Sequence, residues 1–234
     1  MELEGKIAVV TGVSRGIGLA TVKLLLEKGM RVVGWGRTAP ELQHDRFIYI
    51  PCDVRSMEEV QHAYASTLQQ TNGHVAVLVN NAGLGIAGKM DEMSPQDWHT
   101  MFETNVNGVF YCTRLVLPDM KEAEEGHVIN ISSIAGTTGI EQMSGYCGTK
   151  HAVRGISHSL YKEVRDYGIK VTCIYPGSVK TNFFDHMEGV TVSENMMRPE
   201  DIASTILHAL ESHPNYHHVD IEVRPLMPKG KRQK

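Results

Sequence analysis

A tyrosine and a lysine four residues apart, Tyr146 and Lys150, have the types and the spacing for proton transfer. They open a segment of helical periodicity, where this spacing places both side chains on one face. A free phenol has a pKa of about 10, and a neighbouring ammonium group lowers that pKa by favouring the phenolate. A tyrosine tuned in this way can pass a proton to or from an alcohol oxygen. Ser133, at the end of a predicted strand, offers a hydroxyl group that can hold the same oxygen.

Two segments rich in small residues follow other predicted strands. Residues 11–18 read Thr-Gly-Val-Ser-Arg-Gly-Ile-Gly and lead into a predicted helix. Glycines there allow a tight turn and a close approach to a pyrophosphate, at which the helix points its amides. The alternative is an ordinary glycine-rich turn. Residues 80–83, Asn-Asn-Ala-Gly, leave room for a cofactor, and a turn fixed by side-chain hydrogen bonds is the alternative for this segment.

The apolar residues alternate between strand and helix periodicity along the chain, which predicts the elements that position these groups. This alternation predicts one doubly wound α/β domain over residues 1–234, with a parallel sheet covered by helices on both faces. Ligands bind at the carboxyl ends of the strands in such sheets. The predicted strands are 7–10, 31–35, 47–51, 75–79, 128–131, 170–174 and 220–223. The predicted helices are 17–28, a helix capped by Ser56, a stretch over 94–124 that is continuous or broken once, 146–166 and 199–211.

Composition excludes several other classes of protein. The 234 residues are 41% hydrophobic and 21% charged, with a net charge of −4, so we expect no nucleic-acid partner. The sequence has no run of 18 apolar residues and begins with an acidic segment, so we expect a cytoplasmic protein without a membrane partner. The four cysteines are scattered, which predicts reduced thiols used as small apolar residues and no metal site. The basic cluster over residues 229–234, in a tail that begins at about residue 226, is interpreted as a solvated end.

The motifs and their order resemble those of the classical short-chain dehydrogenase/reductase family, from Lys6 to about Pro225. The resemblance implies a Rossmann-type, seven-stranded parallel sheet and an oxidoreductase that transfers a hydride between NAD(H) or NADP(H) and a carbonyl compound or secondary alcohol. It implies that Asn105, Ser133, Tyr146 and Lys150 are catalytic. Ser133 is preferred to Ser132 because the family pattern is Ser-x-x-Gly, and the glycine at position 136 fits only that choice.

The resemblance also assigns roles around the cofactor. Lys150 would lower the pKa of Tyr146 and bind the nicotinamide ribose, and Asn105 would anchor a water chain that returns the proton. Asp53 would lie on the adenine side, and residues 176–181 would flank the nicotinamide. The implied cofactor-binding residues are Gly12, Ser14, Arg15, Gly16, Ile17, Gly18, Arg37, Thr38, Asp53, Val54, Asn81, Ala82, Gly83, Tyr146, Lys150, Pro176, Gly177, Val179 and Thr181.

The end of the second predicted strand favours one of the two nicotinamide cofactors. NAD enzymes usually place an acid there to bind the ribose 2′-hydroxyl group. Gly36 occupies that position, and Arg37 follows it. The guanidinium of Arg37 can bind a 2′-phosphate, and Arg15 could approach the same group. We therefore expect NADP(H) to be preferred over NAD(H), unless Arg37 is merely a solvated loop residue.

The substrate is less well defined by the sequence. Residues 182–198 correspond to the family's substrate lid, and their Phe and Met content predicts an apolar or aromatic carbonyl compound, unless these residues simply pack on the sheet edge. Three alternatives stay open: a 3-oxoacyl thioester reductase, a sepiapterin-reductase-like enzyme, and a non-catalytic NADP(H)-sensing protein. The chain lacks the Gly-rich C-terminal segment with which many members build a tetramer. Pairing through the helices at 97–124 and 146–166 predicts a homodimer or homotetramer.

Overall fold

Seven parallel strands form a single sheet in this protein. The computed structural model describes residues 1–181, 183 and 193–228. The strand order is β3-β2-β1-β4-β5-β6-β7, and every neighbouring pair is parallel. The predicted Rossmann-type α/β fold is therefore confirmed. The strands are β1 (Ile7–Thr11), β2 (Arg31–Gly36), β3 (Phe47–Pro51), β4 (Val75–Asn80), β5 (Gly126–Ile131), β6 (Ile169–Pro176) and β7 (Asp220–Val223).

Helices cover both faces of the sheet. They are α1 (Gly16–Glu27), α2 (Met57–Thr71), α3 (Pro95–Phe102), α4 (Gly108–Glu122), α5 (Ser144–Val164) and α6 (Pro199–Glu211). Successive side chains of a strand point to opposite faces. Ala8 and Val10 of β1 accordingly pack in one cluster with α1 and α6, while Ile7 and Val9 pack in another with α2, α4 and α5. Both β1 and β4 are buried along their whole length, as their uniformly apolar sequences predict.

The helix starts follow from local hydrogen bonding. Ser56 Oγ accepts a hydrogen bond from the Glu59 amide at 3.2 Å, which confirms the predicted cap of α2. Ser94 caps α3 in the same way, with Pro95 in the first turn. The long helical stretch predicted over 94–124 is divided, because a five-residue π-helix (Glu103–Asn107) separates α3 from α4.

The direction in which successive strands are added to the sheet reverses beside β1. The chain passes from β1 to β2 and β3 on one side, then crosses to β4 on the other. This reversal opens a crevice at the carboxyl ends of β1 and β4, where open α/β sheets bind ligands. No helix among the described residues is long and apolar enough to cross a membrane. Residues 182 and 184–192 of the predicted lid and 229–234 of the tail lie outside the described residues.

Candidate active site

The turn from β1 to α1 is built so tightly that its glycines cannot be replaced. Gly12 and Gly16 have φ of +72° and +60°, a region that favours glycine. A Cβ atom on Gly18 would lie 2.2 Å from the carbonyl oxygen of Gly12. A Cβ on Gly12 itself would lie 2.9 Å from Cα of Ala82, at the end of β4. Glycine at these positions therefore lets the turn pack directly against its own backbone and against the end of β4.

The amino end of α1 is available to an anion. Arg15 is its N-cap residue with an extended backbone, no side chain caps the helix, and the first turn holds no acidic residue. The uncapped amides and the helix dipole together favour a phosphate group there. Ser14 and Ile17 line the same turn and are partly buried, while the side chain of Arg15 is exposed. This cradle fits the pyrophosphate of a dinucleotide.

Hydrogen bonds fasten the end of β4 to the end of β1. Thr11 Oγ1 accepts hydrogen bonds from the amides of Asn81 and Ala82 at 3.0 and 2.9 Å. The side-chain amide of Asn81 donates in return to the carbonyl oxygens of Thr11 and Gly12, at 2.9 and 3.1 Å. The Asn-Asn-Ala-Gly segment is thus a turn fixed by side-chain hydrogen bonds. The same turn forms one wall of the crevice, and Gly83 follows it with its surface exposed.

Ser133, rather than Ser132, is the serine brought to Tyr146. Ser133 Oγ accepts a hydrogen bond from the amide of Ala135 at 3.1 Å and also bonds to Tyr146. Ser132 is buried and points away, donating to the carbonyl oxygen of Lys150 at 3.0 Å. A Cβ on Gly136 would lie 2.5 Å from Ser132 Oγ. The Ser-x-x-Gly pattern therefore reflects close packing between the segment after β5 and α5.

Tyr146 and Lys150 lie on one face of α5, as their spacing predicts. Both side chains are buried, with 7% and 6% of their surface exposed. Lys150 Nζ lies 5.7 Å from the centre of the Tyr146 ring and donates a hydrogen bond to the Ile131 carbonyl oxygen at 2.9 Å. Nζ also lies 3.5 Å from the position that a Cβ on Gly83 would occupy. The ammonium group thus stands between the ends of β4 and β5.

The protein's own groups shift the pKa of Tyr146 in the direction opposite to the one expected. Burial raises the pKa of Tyr146 to about 12, although the hydrogen bond with Ser133 opposes the rise. Burial also lowers the pKa of Lys150 to about 8. Desolvation dominates both pKa shifts because both side chains are withdrawn from water. Tyr146 is therefore a protonated phenol at neutral pH, a proton donor rather than a ready base.

Asn105 is fixed in the π-helix by three hydrogen bonds. Its Nδ2 donates to the Leu84 carbonyl oxygen at 2.8 Å and to Thr149 Oγ1 at 3.0 Å, and its Oδ1 accepts from the Leu84 amide at 2.9 Å. Thr149 Oγ1 in turn donates to the Tyr146 carbonyl oxygen at 2.8 Å. Thr149 therefore joins Asn105 to α5. The sequence did not identify Thr149 as part of the site, since its position three residues after Tyr146 is the only signal for it.

The residues expected around the adenine end lie near the ends of β2 and β3. Arg37 and Thr38 follow β2 and are exposed, and the Arg37 guanidinium makes no hydrogen bond or ion pair with any described residue. The carboxylate of Asp53 accepts from Arg55 Nε at 3.0 Å and from Nη2 at 2.6 Å. This contact lowers the pKa of Asp53, and the charge of Arg37 adds to the effect. Val54 is buried against Gly108.

The segment after β6 closes the other side of the crevice. The amide of Gly177 donates to the Val223 carbonyl oxygen at 2.8 Å, continuing the β6–β7 pairing beyond Pro176. Val179 forms an isolated parallel bridge with Met197. Thr181 Cγ2 lies 3.3 Å from the position of a Cβ on Gly16. The predicted nicotinamide segment therefore meets the glycine-rich turn. Met197, one of the predicted lid residues, packs against the main core cluster.

An apolar cluster includes the Tyr146 side chain. Met101, Ala135, Tyr146 and Cys147 form its buried centre. Five partly buried side chains pack against that centre, and we call them the apolar wall: Leu84, Ile86, Met93, Met143 and Phe183. The sequence predicted an apolar surface only from residues 182–198, and the four members of the apolar wall outside that segment were not predicted. No group of three or more His, Cys, Asp or Glu side chains within the described ranges could hold a metal ion.

Comparison with known proteins agrees with this geometry. A family model described as short chain dehydrogenase matches residues 6–189. An uncharacterised oxidoreductase of Staphylococcus aureus (strain MRSA252) is 36% identical over 236 residues, covering 96% of this chain and 99% of the relative. Among solved structures, an alcohol dehydrogenase from the archaeon Thermococcus sibiricus, complexed with 5-hydroxy-NADP, is 27% identical with a TM-score of 0.87, covering 97% of this chain and 100% of that one. The closed form of a serine dehydrogenase complexed with NADP+ is 30% identical with a TM-score of 0.87, covering 93% and 94% of the two chains.

Proposed function

This chain belongs to the short-chain dehydrogenase family, and we propose that it is an NADP(H)-dependent oxidoreductase that interconverts a carbonyl compound and its alcohol. The observation that carries the proposal is the meeting of Ser133, Tyr146 and Lys150 at the carboxyl end of the sheet. The buried phenol of Tyr146 is hydrogen-bonded to the hydroxyl group of Ser133 and lies beside the buried ammonium group of Lys150. This arrangement is suited to proton transfer at an oxygen atom.

The chain's own residues would divide the work as follows. A bound reduced nicotinamide supplies the hydride. Tyr146 donates its proton to the carbonyl oxygen, and the hydroxyl group of Ser133 holds that oxygen by a hydrogen bond. The ammonium group of Lys150 stabilises the phenolate left behind and holds the cofactor ribose. Asn105 anchors the water chain that returns the proton to Tyr146.

Two arginines support a preference for NADP(H). Arg15, at the start of α1, and Arg37, directly after β2, are both exposed. Gly36 occupies the position at which an NAD enzyme usually carries an acid. A guanidinium group binds a phosphate with charge-assisted hydrogen bonds, whereas a carboxylate would repel it. The NADP-type ligands of the two solved relatives described above agree with this preference.

The assembly and the location are also part of the proposal. We place the protein in the cytoplasm as a single domain that pairs through α4 and α5 into a homodimer or homotetramer and needs no metal ion. Phe110 on α4 is half exposed, and it offers an apolar contact on the outer side of these helices.

The first experiment measures absorbance at the NADPH band while the protein is mixed with NADPH, or separately NADH, and a panel of ketones, aldehydes and diketones. We expect turnover with NADPH that is lost in Tyr146→Phe, because the phenylalanine ring has no proton to give. Binding of NADPH, followed by fluorescence, should persist in this variant. Turnover that survives Tyr146→Phe, or NADPH binding without turnover of any carbonyl compound, would contradict the proposal; the second result would favour a cofactor-sensing protein.

A further inference from the structure

The apolar wall beside Tyr146 is assembled from three separate segments. Leu84, Ile86 and Met93 come from the loop after β4, Met143 directly precedes α5, and Phe183 follows β6. The first two loops are tied together, because the amide of Gly88 donates to the Gln142 carbonyl oxygen at 2.7 Å. Side chains distant in sequence thus meet in one apolar cluster that includes Tyr146.

Phe183 contacts the ring of Tyr146 directly. Its ring centre lies 5.4 Å from that of Tyr146, with the ring planes inclined at 52°. This tilted contact is a favourable aromatic geometry. An apolar group on a carbonyl carbon would therefore rest against the Phe183 ring while its oxygen faces Tyr146 and Ser133.

Two of the loops that carry the wall, residues 84–93 and 138–143, hold a single cation, and that cation is paired with a carboxylate. Residues 84–93 and 138–143 hold four charged side chains, Lys89, Asp91, Glu92 and Glu141, all of them exposed. Lys89 is already paired with Glu92 at 2.7 Å. Lys180, just beyond β6, is likewise paired with Glu194. The net charge of the two loops is negative, so a carboxylate or phosphate on the substrate would be repelled rather than bound.

We infer that the substrate is an uncharged carbonyl compound with an aliphatic or aromatic group of several carbons, and that Phe183, Met93 and Met143 select it by burying that group. The inference rests on the proposed function and narrows it. Unbranched, polarisable methionine side chains adapt to irregular apolar shapes, so the wall accepts both chains and rings. The negative charge of the two loops disfavours short 2-oxo acids and acyl groups on an acidic carrier protein.

The test is a series of methyl ketones, from 2-butanone to 2-octanone, with pyruvate, 2-oxooctanoate and a carrier-bound 3-oxoacyl thioester for comparison. At saturating NADPH we expect kcat/KM to rise about fourfold for each added methylene group until the wall is covered. The 2-oxo acid should fall below the neutral ketone of matched length by about tenfold or more, because its carboxylate loses water without gaining a partner.

Three variants assign the preference to the wall. Phe183→Ala should flatten the rise in kcat/KM along the ketone series, so that the ratio of 2-octanone to 2-butanone falls. Met143→Arg should raise kcat/KM for 2-oxooctanoate relative to 2-octanone, because it supplies the missing cation. Met90→Ala is the matched control, since Met90 lies in the same loop with 61% of its surface exposed and should leave the series unchanged.

The outcomes separate this inference from the proposed function. If no carbonyl compound is reduced by either cofactor, the proposed function fails. If Tyr146-dependent turnover is found but is faster with pyruvate, 2-oxooctanoate or the carrier-bound thioester than with any ketone, the proposed function stands and the substrate class is wrong. A flat ketone series in the unmodified protein, or an unchanged series in Phe183→Ala, would also overturn the inference.

Discussion

Burial of the charged Lys150 side chain lowers the stability of the folded protein. This side chain is 6% exposed and its ammonium group has one hydrogen-bond acceptor, the Ile131 carbonyl oxygen. Burial lowers its pKa from the ordinary value of 10.5 to about 8, so the folded protein binds this proton less tightly than the unfolded chain does. Folding stability therefore rises as the pH increases from about 8 to 10.5, the window in which the unfolded chain alone stays charged.

We expect Lys150→Met to abolish turnover and yet stabilise the protein without cofactor. At pH 7 the free energy of unfolding should increase by about 1–2 kcal/mol, because a charge cost of about 3 kcal/mol disappears while the Ile131 carbonyl group loses its donor. Urea unfolding at pH 7 and at pH 9.5 measures this, and the gain should shrink at the higher pH. Lys28→Met, which changes an exposed lysine, is the control. A variant less stable than the parent at pH 7 would show that burial of the charge carries no net cost.

At the cofactor end, we expect Arg37→Ala to raise KM for NADPH by about 10- to 100-fold and to leave KM for NADH almost unchanged. The guanidinium group has no competing partner among the described residues, so its charge is available to a 2′-phosphate. Steady-state kinetics with each cofactor measures the split. Arg165→Ala, an exposed arginine beyond the end of α5, serves as the control. Equal changes with NADPH and NADH would remove the basis for an NADP(H) preference.

Among the elements, the contact between the segment after β5 and α5 sets the geometry of the site. A Cβ on Gly136 would come within 2.5 Å of Ser132 Oγ and 2.7 Å of the Lys150 carbonyl oxygen. Backbone atoms cannot move aside as a flexible side chain can, so α5 would have to shift and carry Lys150 with it.

Gly136→Ala should therefore lower the free energy of unfolding by about 1–3 kcal/mol and reduce kcat by at least about tenfold. Thermal unfolding and NADPH oxidation measure the two effects. Gly139→Ala is a matched control three residues away, where an added Cβ would meet nothing within 4 Å, and it should stay within about 0.5 kcal/mol of the parent. If the two variants behave alike, the close packing at Gly136 does not position α5.

The sequence predicted most of these elements because their periodicity is strong. The limits of β3 and β7 are those predicted, and the other strands differ by one or two residues at their ends. The π-helix at Glu103–Asn107 was not predicted: the stretch over 94–124 was expected to be continuous or broken once, and a π-helical turn has no residue composition of its own that would identify it. The pKa of Tyr146 was predicted with the wrong sign, since burial depends on packing that spacing alone does not reveal. The apolar wall was missed for the same reason: its members are brought together only by the fold.

At the scale of the whole molecule, the candidate site lies at the carboxyl ends of the strands, while α4 and α5 present exposed surface on one face of the sheet. Phe110 on α4 is 50% exposed, and the guanidinium carbon of Arg114 lies 6.0 Å from its ring. On α5, a Cβ at Gly155 would meet nothing within 4 Å, so the helix surface there is low and open. These two helices cover the same face of the sheet, and their outer sides suit the proposed pairing of two copies.

We expect Phe110→Glu to convert the oligomer into monomers, because a carboxylate cannot be buried without a partner. Size-exclusion chromatography with light scattering measures the mass. Met90→Glu places the same charge on a more exposed side chain near the substrate loops and should leave the assembly intact. An unmodified protein that is monomeric, or a Phe110→Glu variant that keeps its full assembly, would contradict pairing through α4.

The hydrogen bonds of Asn105 fix one member of the proposed apolar wall more firmly than the others. The amide and the carbonyl group of Leu84 are both hydrogen-bonded to Asn105, so the loop is attached at Leu84 to one of the proposed catalytic residues. Met143 and Phe183 reach Tyr146 from two other segments of the chain. New substrate preferences are therefore accessible by single substitutions at Met143 and Phe183, whereas a change in the path of the chain at Leu84 would disturb the chemistry along with the specificity.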